Sequence, residues 1–128
     1  MLIRRSCVLA LLALISVGAV GAPNSYTEAR MLWESHKDSV EYQTYLSEFV
    51  QFNNHFHIDE KDGCYQLSGG KVSLMLVIAH EAGAQYSVVS KVFADVDTPK
   101  ARCFKKSYGS IQTKTPPFLP FVVQMDMG

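Results

Sequence analysis

The sequence is poor in chemical signatures. It contains no GxSxG, no HExxH, no Gly-rich phosphate loop and no Cys/His nucleophile pairing, local patterns that mark many hydrolases, zinc peptidases and nucleotide enzymes. Their lack argues for a non-enzymatic protein with no cofactor. Cationic excess is missing as well: Lys plus Arg number 12 and Asp plus Glu 12. Two of those cations, Arg4 and Arg5, lie in a segment expected to be removed, which leaves the remainder slightly acidic. Phosphate-backbone binding needs a basic face, so nucleic acid is not an expected partner.

Long apolar runs are scarce. The first reaches from Cys7 to Val20, follows Met1-Leu2-Ile3-Arg4-Arg5, and gives way to small residues from Gly18 to Ala22 ahead of Pro23. This is the form of a secretory signal peptide, and its apolar core is short of the roughly 20 residues that span a bilayer. The expected division is a signal over 1–22, cleaved after Gly21 or Ala22, and a single α+β domain over 23–128. No stable membrane span is expected after cleavage. Export to the periplasm or beyond then sets the redox context. Of three cysteines, Cys7 leaves with the signal, and Cys64 and Cys103 remain as an even pair that reads as a disulfide.

The second apolar run, Lys71 to His80 (KVSLMLVIAH), organises the rest. Val72, Leu74, Leu76 and Ile78 alternate with Ser73, Met75, Val77 and Ala79, so both faces are apolar and the run reads as the central strand of a sheet. Glu81 to Gln85 supplies a hairpin turn in which Gly83 can take positive φ. Tyr86 to Asp95 is the returning strand. Thr98-Pro99 then starts a helix that Gly109 can end, and the prolines at 116, 117 and 120 lead into a last strand, Phe121 to Met127, whose prolines mark it as an edge. The second strand, the first and the third are expected in that order, as a three-stranded antiparallel or mixed sheet packed on the helix.

Ahead of this ββαβ part (68–128) lies a helical part (23–67). Ser25-Tyr26-Thr27-Glu28 has capping-box form, and a second helix beginning at Asp38 or Ser39 carries Tyr42, Tyr45, Leu46, Phe49 and Val50 as an apolar stripe. Trp33 reads as a packing anchor. Cys64 to Leu67 reads as a short extended piece. Between them, His55, His57, Asp59 and Glu60 bring imidazole and carboxylate donors together, the only stretch that invites a metal-binding or enzymatic alternative. A committed zinc site needs a third protein ligand that this spacing does not offer, so no metal is expected.

The stretch Gly70-Lys71-Val72, the turn Glu81-Ala82-Gly83-Ala84, the following helix and Pro116-Pro117-Phe118 before the last strand resemble the C-terminal domain of TonB and TonB-like periplasmic proteins, over about Gly70 to Met127. The chain departs from that family in having no long Pro-rich periplasm-spanning segment. The resemblance implies a periplasmic protein that binds a protein or peptide partner by adding a strand to its sheet, and the strand order expected above makes Phe121, Val122, Val123, Gln124 and Met125 the edge for it. An inhibitor of a secreted enzyme fits the same small disulfide-stapled format, and a homodimer is compatible with it.

Overall fold

The computed structural model describes residues 21–52 and 63–128. Helix α1 spans Tyr26–His36 and α2 spans Val40–Phe52. Strands β1 (Val72–Ala79) and β2 (Ser87–Ala94), helix α3 (Pro99–Tyr108), and strands β3 (Gln112–Thr113) and β4 (Phe121–Met127) follow. The helix starts have the chemistry their sequences announce. Ser25 Oγ accepts from the Glu28 amide, Ser39 Oγ from the Tyr42 amide, and Thr98 Oγ1 from the Ala101 amide, with Pro99 opening α3. Each cap satisfies an amide that has no partner within the helix.

The strands form one sheet in the order β3-β2-β1-β4, with every pairing antiparallel. The expectation of three strands in the order second, first, third is corrected by β3. After α3 the chain reverses at Ser110, which takes φ 70°, while Gly109 stays at φ −63°. Two residues then pair with Ser87 and Val88. A ladder this short has no alternating pattern for a sequence reading to detect. A second correction concerns Cys64–Leu67: Gly63 to Tyr65 is helical, and no extended piece forms there. The hairpin turn does use Gly83, at φ 82°.

Both faces of β1 are covered, by different helices. Val72, Leu74, Leu76 and Ile78 join Val89, Phe121 and Val123 in a core closed by Tyr42, Tyr45 and Phe49 of α2 and by Ala101, Phe104 and Tyr108 of α3. Met75, Val77 and Val122 face the other way, against Ala29, Tyr26, Leu32 and Trp33 of α1. Burial of this apolar surface is the main stabilising term, at about 25 cal/mol per Å². Cys64 and Cys103 are joined in a disulfide with Cα atoms 5.4 Å apart, which ties the segment before the sheet to α3.

The two N-terminal helices therefore lie on opposite faces of the sheet. The turn that joins them, from His36 to Ser39, passes around the outer edge of β4.

Candidate functional site

Strand β4 is an end strand, and its residues divide by direction. The register Val72↔Met127 through Ile78↔Phe121, taken with the Asp95 amide that donates to the Ser73 carbonyl (3.1 Å), directs the amides and carbonyls of Phe121, Val123, Met125 and Met127 to β1. Those of Val122, Gln124 and Asp126 point outward. An outward-facing row of this kind is what a further strand would pair with.

Part of the row is already satisfied from within the chain. His36 Nε2 donates to the Val122 carbonyl at 3.1 Å, and the Gln124 amide donates to the Tyr42 hydroxyl at 3.3 Å. The same hydroxyl accepts from Trp33 Nε1 at 2.9 Å. These side chains are fixed in turn by aromatic packing. The His36 ring stacks on Phe121 (centroids 4.9 Å apart, planes 14° apart) and meets Tyr42 and the edge of Phe118. His36 is only 7% exposed, and burial pushes its pKa below the ordinary value, against the opposing effect of its bond to Val122. Nε2 carries a proton in this bond, because a carbonyl oxygen only accepts.

Beyond Gln124 the edge is different. The Gln124 carbonyl and the Asp126 amide and carbonyl face outward with no partner among the described residues, and Asp126 itself is exposed. Gln124 Nε2 donates to Ser73 Oγ at 3.1 Å and to Asp126 Oδ1, which holds its side chain over the sheet face and clear of the edge. A cleft of about 320 Å³ adjoins this end, lined by Lys71, Val72, Ser73, Asp95, Asp126 and Met127 among others.

Of the five residues expected to form a peptide-binding edge, Phe121, Val122 and Val123 are thus fully buried. Gln124 and Met125 are partly exposed. His36 and Tyr42 were not legible as edge residues, since their role depends on a helix corner that no local pattern announces. His55, His57, Asp59 and Glu60 lie outside the described residues. Among the described residues no group of three His, Cys, Asp or Glu side chains is placed to hold a metal, and no helix is long and apolar enough to cross a membrane.

A second polar cluster also went unnoticed in the sequence. His80 Nδ1 lies 2.9 Å from Ser87 Oγ and 3.4 Å from Thr115 Oγ1, across the hairpin. A Ser/His pair invites comparison with a nucleophile and its base, but Ser87 is 0% exposed, which keeps its hydroxyl out of reach of a substrate. The neighbouring Thr113 is also buried, within 3.1 Å of the Tyr45 hydroxyl, which donates to the Lys114 carbonyl at 2.8 Å. Burial pushes the Tyr45 pKa up to about 12. These groups satisfy one another, which is the usual condition for polar atoms in a core.

The chain matches no family model, no curated protein and no solved structure.

Proposed function

We propose that this chain is an exported, non-enzymatic binding or adaptor module that takes up an extended peptide by strand addition to β4. The observation that carries the reading is the partition of the β4 edge. The pair of groups at Val122 and Gln124 is taken by His36 and Tyr42, whereas the Gln124 carbonyl and the Asp126 amide have no partner among the described residues. One residue of an incoming strand, running parallel to β4, would donate to the first and accept from the second. Extension toward Phe121 would require the helix corner to yield those two hydrogen bonds. The adjoining cleft offers Lys71 as a polar contact for the peptide's side chains.

The TonB-like sequence pattern points to the same mode of binding and to a periplasmic setting. The Cys64–Cys103 bond is compatible with an oxidising compartment.

The test is a pull-down from periplasmic extract with the wild type and with Asp126→Pro. The substitution removes an outward amide that no bond within the sheet uses. Loss of a captured partner, with the circular dichroism spectrum intact, supports strand addition at this edge. Undiminished capture refutes it.

A further inference from the structure

The opposite side of the sheet carries a second open edge. β3 pairs only with Ser87 and Val88, and the next outward residue, Val89, exchanges hydrogen bonds with Ile111 and Ser110 (both 2.9 Å). Among the described residues the strand cover ends there. A bulge at Ser90, where the β1–β2 register shifts between Val77 and Ile78, separates this covered half of β2 from the remainder. From Ser90 to Ala94 no strand lies outside β2 among the described residues.

Direction again follows from pairing. The Asp95 amide donates to the Ser73 carbonyl, so Phe93 and Lys91 also bond inward to Met75 and Val77, and the amides and carbonyls of Val92 and Ala94 point outward. Every residue from Ser90 to Asp97 is exposed or partly exposed, in contrast to the buried start of β4.

We infer that this half of β2 pairs antiparallel with the same half of a second copy, joining two sheets into one about a two-fold axis at Phe93. The register is fixed by which groups face outward. Val92 of each copy bonds Ala94 of the other, the two Phe93 side chains meet at the axis, and Lys91 of each copy stands opposite Asp95 of the other. That last pairing is what favours a second copy over any other occupant. Lys91 Nζ is held by neutral acceptors, Asn24 Oδ1 at 2.9 Å and the Pro23 carbonyl at 3.4 Å, and Asp95 Oδ1 accepts only the Ser73 amide at 2.9 Å. Neither charge has an ion-pair partner among the described residues. A two-fold axis brings each opposite the other's complement twice, on one face of the sheet, where opposite charges directly across a ladder attract. Charged side chains, proline and bulges on an edge usually discourage pairing, but here the two charges are of opposite sign and complement each other about the axis. The β4 edges lie at the two far ends of such a dimer, so the proposal is independent of peptide binding there.

Sedimentation equilibrium over increasing concentration is the test, on the chain from Pro23 onward and on its variants. The wild type is expected to dimerise reversibly. Lys91→Glu and Asp95→Lys place like charges across both contacts and are each expected to be monomeric. Their equimolar mixture regains the dimer, because the two introduced side chains, of opposite charge, then face each other across one contact, while the native Asp95 of the first variant faces the native Lys91 of the second across the other. Since Asp95 also holds the Ser73 amide, hydrogen exchange on the wild type gives a readout that needs no variant. The Val92 and Ala94 amides are expected to exchange slowly only at dimerising concentrations. A monomer at every concentration overturns the proposal, as does a dimer indifferent to Lys91→Glu or one in which those two amides stay unprotected.

Discussion

Tyr42 illustrates how much a single hydroxyl can organise. Its ring packs in the core with α2, while its oxygen accepts from Trp33 Nε1 on α1 and from the Gln124 amide on β4, so one atom joins three elements. Replacing it with Phe keeps the ring and leaves two donors without their acceptor. An unsatisfied donor away from water costs about 1–3 kcal/mol. Tyr42→Phe should therefore lower the urea midpoint by a corresponding amount and speed exchange of the Gln124 amide. An unchanged midpoint and unchanged exchange would mean that water replaces the hydroxyl freely.

His36 adds a pH dependence. Its folded-state pKa lies below the ordinary value near 6.5 because burial disfavours the imidazolium, so the unfolded chain binds the proton more readily. The contribution to stability is fully present above about pH 6.5 and is lost as pH falls through the folded-state pKa. Midpoints of chemical denaturation measured from pH 7.5 down to pH 5 (about the range in which a histidine titrates) should fall for the wild type and fall less for His36→Gln. Equal slopes for the two proteins would remove His36 from the account.

At the scale of elements, the readable parts were those with a strong local rule. The capping residues Ser25 and Thr98, the Pro99 start, the Gly83 turn and the two-faced run from Val72 to Ala79 are each set by neighbours a few positions away. What escaped depends on contacts between distant segments. β3 exists because Ser110 turns the chain beside Val89, and the cover on β4 exists because α1 and α2 take opposite faces of one sheet. The candidate edge was legible as an end strand, since Pro116, Pro117 and Pro120 precede it. Its division into an occupied and an open half was not, because His36 and Tyr42 lie more than 80 residues earlier.

The Cys64–Cys103 link belongs to this scale too. It closes a loop with a sequence separation of 39 and holds the short helical turn at Cys64 against α3. In the chain-entropy treatment a loop of this size stabilises by about 4 kcal/mol. Cys64→Ser, Cys103→Ser and the double variant should all lose a similar amount under oxidising conditions, since each removes the same bond. Additive losses in the double variant would show that the two sulfurs contribute separately.

For the whole molecule, the sheet is a ladder finished differently at its two ends. One end is wrapped by a helix corner that leaves the Gln124–Asp126 segment open, and the other is blunted by β3 only as far as Val89. The strand addition proposed for β4 rests on backbone groups, so side-chain identity alone says little about the ligand. The disulfide and the two apolar clusters hold the frame on which those backbone groups are presented.

The most direct measurement is residue-resolved amide hydrogen exchange on β4, with the free protein and with the partner recovered by pull-down. In the free protein the Gln124 amide should be protected by Tyr42 and the Asp126 amide should exchange rapidly; on partner binding, Asp126 should become protected while the amides facing β1 stay as they were. Rapid exchange at Asp126 in both states, with the partner bound, would contradict strand addition to this edge.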